Sequence, residues 1–328
     1  MSLIDAYDAA LFDLDGVVYL GPAAVPGAAD GIRALRQHGV RVGFVTNNAA
    51  RPPVAVAEHL EDLGVPADVV DIVTSAQAGA RMLAAHLPAG ATVLIVGTPA
   101  LAAEVAAVGL SPVMEANDTP DAVIQGYDPT MTWPRLDAAC RAIQGGALWF
   151  ATNTDSTRPT DKGLVPGAGA QIAAVQVAVR PEPLVAGKPY PPLLQETVRR
   201  LGSGRPIFVG DRIDTDIMGA NAVGMDSLFV FTGAHTKADL VLVDESGRPT
   251  HIGYDLRALM MEPRELVLGE GSARCRGQVA TISAGEISLA AEPTTLEEQL
   301  DALWAVLALV WQHPGVDASV VDHLDLVP

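Results

Sequence analysis

The stretch Ala9–Leu20, AALFDLDGVVYL in one-letter code, determines how the rest of the chain is interpreted. Its first half is apolar except for Asp13 and leads into Asp15-Gly16, a pattern typical of a buried strand that ends in a loop. Residues two apart on a strand point the same way, so Asp13 and Asp15 can face one crevice at the carboxyl end of the strand, where open α/β sheets bind ligands. Two adjacent carboxylates need a nearby cation or lysine.

Composition narrows the class of protein. The 328 residues are enough for two or three domains, and 49% hydrophobic with 18% charged residues is typical of a globular chain. A formal net charge of −18 argues against nucleic acid or an anionic membrane as the main partner, because both bind basic surfaces. We expect no membrane span, since the most apolar stretch, Ala302–Trp311, is about half the ~20 residues that a spanning helix needs.

The two cysteines and the amino terminus indicate a cytoplasmic protein. Cys140 and Cys275 lie far apart in sequence, so neither a disulfide framework nor a thiolate metal site is expected. The first residues have no basic segment before an apolar one, which argues against a signal peptide.

Alternating strand and helix patterns predict an α/β fold with a doubly wound, Rossmann-like parallel sheet. A second alternating block closes on itself and is predicted to be an α/β domain inserted into the first. We therefore expect a core from residues 1–80 and 184–258, an inserted domain from residues 81–183, and a small α+β C-terminal appendage from residues 259–328.

Several individual elements can be tested. The patterns predict strands over Val69–Thr74 and Leu240–Val243, a helix over Thr215–Val223 and a polar loop over Thr152–Pro166. In the appendage, Thr294–Trp311 is predicted to form an amphipathic helix, with Glu297 and Glu298 in its first turn.

Polar residues follow the predicted strands in four clusters: Asp13 with Asp15, Thr46 with Asn47, Lys188, and Asp211 with Asp214 and Asp216. Several carboxylates together favour Mg²⁺, which prefers hard oxygen ligands. Lys188 and the metal would keep Asp13 ionised, as a nucleophile must be. The ligand that suits a metal, a lysine and hydroxyl or amide donors is a phosphoryl group.

Each cluster also has a simpler interpretation when it is considered alone. Thr46-Asn47 could be a turn or a helix cap, and Lys188 a solvated loop lysine. Asp214 and Asp216 lie where acids complement a helix N-terminus, and we retain that interpretation for Asp214. The joint pattern of Asp13, Asp15, Lys188 and Asp211 argues for a functional site instead.

The four clusters, in order, resemble the four motifs of the haloacid dehalogenase-like hydrolases. The matching segments are Asp13-Leu14-Asp15-Gly16, Thr46-Asn47, Gly187-Lys188-Pro189 and Gly210-Asp211-Arg212-Ile213-Asp214-Thr215-Asp216. The resemblance covers roughly residues 9–259. The chain further resembles the branch with a large α/β cap between the second and third motifs, which contains phosphoglycolate, pyridoxal phosphate and 4-nitrophenyl phosphatases. Within that branch the chain most resembles bacterial D,L-glycerol-3-phosphate phosphatases with a C-terminal extension.

The resemblance implies a role for each acid. Asp13 would attack phosphorus and become an aspartyl phosphate, while Asp15 would protonate the leaving alkoxide and later deprotonate the hydrolytic water. Mg²⁺ would be bound by Asp13, the backbone carbonyl of Asp15 and Asp211. Asp216 would not bind the metal itself and would instead orient Lys188 or a water on the metal.

The resemblance also implies how the substrate is held. The phosphoryl group would be bound by Thr46, Asn47, Lys188 and the Gly16 amide. The residues expected above the leaving group, on a loop of the cap, are Asn153, Asp155 and Arg158.

We therefore hypothesise that the protein is a phosphomonoesterase of a small phosphorylated metabolite. A cap of this size would cover the active site and exclude phosphoproteins. Glycerol 3-phosphate is the first candidate substrate, and 2-phosphoglycolate and pyridoxal phosphate are alternatives. A phosphotransferase, a phosphomutase or a regulatory binding protein on the same core also remain open. A homo-oligomer could form through the cap or the C-terminal helix, which would expose an apolar face comprising Leu303, Val306, Leu307 and Val310 unless something covers it.

Overall fold

The computed structural model describes residues 1–115, 119–160 and 163–326. The strands are β1 Ala9–Asp13, β2 Tyr19–Leu20, β3 Ala23–Ala24, β4 Arg41–Thr46, β5 Ile72–Thr74, β6 Thr92–Val96, β7 Ser111–Val113, β8 Ala122–Gln125, β9 Leu148–Ala151, β10 Thr157–Thr160, β11 Gly163–Pro166, β12 Leu184–Val185, β13 Pro206–Gly210, β14 Asp226–Val230, β15 His251–Gly253, β16 Leu266–Gly269, β17 Ser272–Cys275, β18 Gln278–Ser283 and β19 Glu286–Leu289. The α-helices are α1 Ala28–Gln37, α2 Pro53–Asp62, α3 Ser75–His86, α4 Pro99–Ala107, α5 Trp133–Gln144, α6 Ala168–Gln176, α7 Pro191–Leu201, α8 Met218–Ala222, α9 Lys237–Val241 and α10 Leu296–Gln312.

The described residues form two compact units. One unit comprises Met1–Val42 and the stretch that begins at Ser203, and the other comprises Gly43–Gly202. The division into core, cap and appendage made from the sequence stays a prediction.

A parallel sheet organises the first unit. Its strands β15, β14, β13 and β1 pair in that order, with Ala9 opposite Pro206 and Phe12 opposite Val209. Every residue of β1 is buried, including Asp13, as expected for a parallel strand covered on both faces. Because parallel strands end at one edge, the residues after β1, β13 and β14 lie side by side.

The C-terminal part of the same unit is an antiparallel sheet, β16–β19 in sequence order, covered by α10. Helix α10 begins after Thr295, whose hydroxyl accepts the Glu298 N–H, while the Glu298 carboxylate accepts the Thr295 N–H. Leu303 and Leu307 are fully buried in one cluster with Ala280 of β18. The apolar face that the sequence left uncovered is therefore buried within its own chain.

This C-terminal part shares its core with the parallel sheet. Phe229 of β14 and Ile252 of β15 belong to the same hydrophobic cluster as α10. Arg264, which precedes β16, forms an ion pair of 3.0 Å with the buried Asp301 of α10. Burial raises the pKa of the Cys275 thiol to about 12, so this cysteine is an inert core residue.

The second unit is built around its own parallel sheet, with strand order β12-β9-β8-β6-β7. Alternate residues of β6 enter different cores: Val93 and Ile95 pack with α3 and α4, and Leu94 and Val96 pack with α5 and α6. Helices thus cover both faces of this sheet. The predicted fold class, a doubly wound α/β protein with a second α/β sheet and a small α+β C-terminal part, is confirmed.

Some predicted elements differ from the structure. The strand predicted over Leu240–Val243 is wrong, because α9 begins after Thr236, whose N–H donates to the Asp239 carboxylate as in a capping box. The first half of the strand predicted over Val69–Thr74 is a 3-10 helix, and the start of the helix predicted over Thr215–Val223 is a π-helical turn, Ile213–Ile217.

The loop predicted over Thr152–Pro166 contains the hairpin β10–β11, while Asp161 and Lys162 of that loop lie outside the described residues. Within the described parts of the chain, each helix is too short or too polar to cross a membrane.

Candidate active site

Three buried carboxylates meet at the carboxyl edge of the sheet in the first unit. Asp13 ends β1, Asp211 directly follows β13, and Asp216 lies in the π-helical turn. Each offers an oxygen atom, and these atoms all lie within 4.8 Å of one another. The three residues are 8%, 2% and 0% exposed, so their charges would repel strongly without a cation. A buried donor set made only of carboxylate oxygens fits a hard divalent cation such as Mg²⁺.

The absence of a side chain at Gly16 leaves room for the Asp211 carboxylate. At Gly16 φ is +87°, and a Cβ atom there would lie 2.5 Å from Asp211 Oδ2. The Gly16 N–H, which the family resemblance assigns to the phosphoryl group, donates to the carbonyl of Tyr19 at 2.7 Å. The tight turn after β1 thus uses this amide internally, and its contact with a phosphoryl group stays a prediction. The structure supports Gly16 as the residue that permits close packing against Asp211.

Asp216 is fixed by the turn that carries it. The Arg212 N–H donates to Asp216 Oδ2 at 3.1 Å, and a Cβ atom on Gly210 would lie 2.3 Å from Asp216 Cβ. The resemblance predicts that Asp216 does not bind the metal directly. In the structure, its carboxylate lies close enough to Asp13 and Asp211 to be a direct ligand as well. Asp214 lies outside the cluster, exposed and paired with Arg212 at 2.7 Å.

Asp15 differs from Asp13 although both belong to one motif. Its side chain is exposed, and its carboxyl group is not part of the buried cluster. Exposure suits a group that exchanges a proton with a leaving group and then with water. The role of Asp15 stays a prediction.

In the second unit, the Asn47 side chain forms two hydrogen bonds with the Lys188 backbone. Asn47 Oδ1 accepts the Lys188 N–H at 2.8 Å, and Asn47 Nδ2 donates to the Lys188 carbonyl at 3.0 Å. Lys188 is only 2% exposed, and Gly187 before it leaves no room for a Cβ atom, which would lie 2.5 Å from the Thr152 carbonyl oxygen. The Asn47 side chain therefore positions Lys188. The phosphate contact that the resemblance implies for Asn47 stays a prediction.

Two of the three predicted cap-loop residues, Asn153 and Asp155, also bond to Asn47. Together with Asn47 and Lys188 they form a group that we call the polar frame. Asn153 Nδ2 donates to the Asn47 carbonyl at 2.7 Å, and Asp155 Oδ1 accepts from Asn47 Nδ2 at 3.2 Å. Arg158 is separate from this group: it is exposed, and its guanidinium carbon lies 4.9 Å from the centre of the Tyr127 ring. Asn153 and Asp155 are thus hydrogen-bonded to Asn47, and their expected contact with the leaving group stays a prediction.

Thr46 is buried at the end of β4, and its hydroxyl oxygen accepts the Asn48 N–H at 3.1 Å. Sequence reasoning missed two hydroxyl groups that serve these clusters. The Ser75 hydroxyl donates to the Asn47 carbonyl, and the Thr232 hydroxyl donates to the Gly16 carbonyl, each at 2.6 Å. Ser75 directly follows β5 and Thr232 closely follows β14, so the rule that polar residues at strand ends mark the site could have identified both.

Comparisons with known proteins agree with this geometry. Residues 10–111 match a family model described as haloacid dehalogenase-like hydrolase, and residues 185–259 match one described as HAD-hydrolase-like. The chain is 43% identical to a D-glycerol 3-phosphate phosphatase of Mycobacterium tuberculosis over 96% of this chain and 89% of that protein.

Solved structures give the same result. A crystal structure of a glycerol phosphate phosphatase from M. tuberculosis in complex with magnesium matches with a TM-score of 0.89 at 40% identity, over 99% of each chain. A 4-nitrophenylphosphatase from Thermotoga maritima matches with a TM-score of 0.73 at 29% identity, over 79% of this chain and 98% of that chain. The chain belongs to the haloacid dehalogenase-like hydrolases.

Proposed function

We propose that the protein is a Mg²⁺-dependent phosphomonoesterase that hydrolyses a small phosphorylated metabolite through an aspartyl phosphate on Asp13. The observation that carries this proposal is the buried cluster of Asp13, Asp211 and Asp216, whose ligand oxygens lie within 4.8 Å of one another. Similarity to phosphatases over nearly the whole chain supports it.

Each acid has a defined task in this reaction. Asp13, the backbone carbonyl of Asp15 and Asp211 would hold Mg²⁺, with Asp216 beside them in the buried cluster, and the bound ion would neutralise charge on the phosphoryl oxygens. The Asp13 carboxylate attacks phosphorus in line, so that a bond from its oxygen to phosphorus forms as the bond to the ester oxygen breaks. Asp15 donates a proton to the departing ester oxygen and then accepts one from the water that attacks the aspartyl phosphate.

Lys188 and Thr46 would supply the positive charge and the hydroxyl. Lys188 provides a buried ammonium group for the phosphoryl oxygens, and the Thr46 hydroxyl donates to one of them. Asn47, with Asn153 and Asp155 bonded to it, keeps the Lys188 backbone in place. Pre-positioned groups of this kind favour the transition state because they need not reorganise during the reaction.

Glycerol 3-phosphate is the proposed substrate, supported by the 43% identity to a D-glycerol 3-phosphate phosphatase. Hydrolysis would release glycerol and phosphate. 2-Phosphoglycolate and pyridoxal phosphate are the alternative substrates that the sequence left open. A cytoplasmic location and the three-part division into core, cap and appendage are part of the same proposal.

Phosphate release tests the proposal directly. We would assay the native chain, Asp13→Asn and Asp214→Asn on glycerol 3-phosphate, 2-phosphoglycolate and pyridoxal phosphate, with Mg²⁺ or with a chelator. We expect Mg²⁺-dependent turnover, fastest on glycerol 3-phosphate and reduced about 10³-fold or more in Asp13→Asn. Asp214→Asn is the matched control, since Asp214 is an exposed acid outside the cluster. Absence of release from all three esters, or full activity of Asp13→Asn, would refute the proposal.

A further inference from the structure

We propose that the loop Thr232–His235, here called the holding loop, positions the metal site by bonding to both chain segments that build it. The proposal rests on the proposed function in that it takes the cluster of Asp13, Asp211 and Asp216 as the metal site. It adds residues that the four sequence motifs do not contain.

The sheet brings the holding loop to the site. Strand β14, which precedes the loop, pairs in parallel with β13, and Gly210 lies opposite Phe229. Asp211 directly follows Gly210, so the loop after β14 passes alongside Asp211 at the same edge of the sheet.

Three hydrogen bonds connect the loop to the Asp211 segment. The Ala234 N–H donates to Asp211 Oδ2 at 2.6 Å, and the His235 N–H donates to the Asp211 carbonyl at 3.3 Å. The Ile213 N–H donates in turn to His235 Nδ1 at 2.8 Å. His235 is thus bonded to the chain on both sides of Arg212, once through its backbone and once through its ring.

A fourth hydrogen bond connects the loop to the segment that carries Asp13 and Asp15. The Thr232 hydroxyl donates to the Gly16 carbonyl at 2.6 Å. Gly233 lies between these contacts, and a Cβ atom there would be 1.9 Å from Asp211 Oδ2. The loop backbone therefore packs directly against the Asp211 carboxylate, which no larger residue at position 233 would permit.

These bonds restrict the Asp211 carboxylate to one orientation. With Oδ2 held by an amide and the adjacent carbonyl held by His235, the side chain loses the rotational freedom that a lone aspartate has. Hydrogen-bonding partners of metal ligands typically contribute 10–100-fold to metal affinity because they orient the ligand. The His235 ring holds the loop against this segment through the Ile213 N–H, so losing the ring contact should loosen the loop and weaken metal binding, although His235 itself provides no ligand.

Mn²⁺ binding tests the role of His235 without relying on turnover. We would titrate the full-length chain with Mn²⁺ and follow the unbound ion by electron paramagnetic resonance for native protein, His235→Ala and His235→Asn. The oxygen of Asn can accept the Ile213 N–H in place of Nδ1, so His235→Asn is the matched control. We expect Kd for Mn²⁺ to rise about tenfold in His235→Ala and to stay within about threefold of native in His235→Asn. The Mg²⁺ concentration at half-maximal activity should change in the same proportion.

A second pair of variants keeps the test decisive if His235→Ala does not fold. Thr232→Val removes the hydroxyl donor to Gly16 at constant shape, and Thr232→Ser retains it. Weaker Mn²⁺ binding in Thr232→Val than in Thr232→Ser supports the proposal. Native-like binding in both alanine and valine variants, or equal weakening within each pair, overturns it. If the native chain binds Mn²⁺ but hydrolyses no ester, the proposed function fails while the holding loop is still tested.

Discussion

The substitution Asn47→Asp tests the polar frame around Lys188 with almost no change in shape. In the native structure Asn47 Nδ2 donates to the Lys188 carbonyl at 3.0 Å and lies 3.2 and 3.3 Å from the two carboxylate oxygens of Asp155. An aspartate at position 47 keeps the acceptor for the Lys188 N–H. It loses both donated hydrogen bonds and places a second negative charge against Asp155.

The expected cost follows from these distances. Two unit charges 3.2 Å apart repel by about 5 kcal/mol at an effective dielectric constant of ~20, and the partial exposure of Asp155 lowers this to roughly 2 kcal/mol. The lost hydrogen bond from Asn47 to the Lys188 carbonyl adds about 1 kcal/mol. The free energy of unfolding should thus fall by about 3 kcal/mol in total. If Lys188 moves by about 1 Å, kcat/KM should fall about 100-fold.

Urea unfolding and phosphate release measure the two effects. The double variant Asn47→Asp/Asp155→Asn restores one carboxylate–amide pair, so it should recover about 2 kcal/mol of the loss but not the bond to the Lys188 carbonyl. A single variant within about 0.5 kcal/mol of native, or a double variant no more stable than the single one, would refute the reasoning.

Two further predictions concern the C-terminal helix. Backbone and hydroxyl hydrogen bonds from Thr294, then those from Thr295, lower the pKa of Glu298 from 4.5 to about 2, so its charged form stabilises the fold above about pH 4.5 and this stabilisation is lost as the pH falls towards 2. Urea unfolding from pH 6 to pH 2.5 should show the native chain and Glu298→Gln converging in stability, and a constant difference would contradict the assignment. Leu307→Ala should lower the free energy of unfolding by about 2–5 kcal/mol because Leu307 is fully buried, whereas Leu242→Ala, at an 83% exposed position, should stay within about 0.5 kcal/mol; equal effects would show that α10 is not part of the core.

The strand-end rule explains why the buried cluster was predictable from sequence. Asp13 and Asp211 each follow an apolar run, and parallel strands bring such positions to one edge whatever their separation in the chain. The same rule applied to Thr232 would have pointed to the holding loop. The loop was not predicted because two of its four hydrogen bonds to the site come from backbone N–H groups, which are the same whatever the residue type.

Two other differences between the sequence-based prediction and the structure have separate physical causes. Asn47 and Asp155 are 108 positions apart in sequence, and a periodic pattern does not predict side-chain contacts over such a separation. By contrast, the helix α9 that replaces the strand predicted over Leu240–Val243 had a local signal, since Thr236 and Asp239 have the spacing of a capping box. The apolar residues of Leu240–Val243 also fit a buried strand, so the local sequence carries both signals.

The pairing of β1 with β13 has a consequence for how the protein is made. Ala9 and its partner Pro206 are about 200 residues apart, and the second unit is encoded between them. At a synthesis rate of about 5–20 residues per second, one edge of β1 waits roughly 10–40 s on the ribosome before β13 emerges. During that time an apolar strand edge is open to misassembly, and Asp13 has neither Asp211 nor Asp216 beside it. The cluster of Asp13, Asp211 and Asp216 is thus assembled only late in translation, after the contiguous second unit has had time to fold.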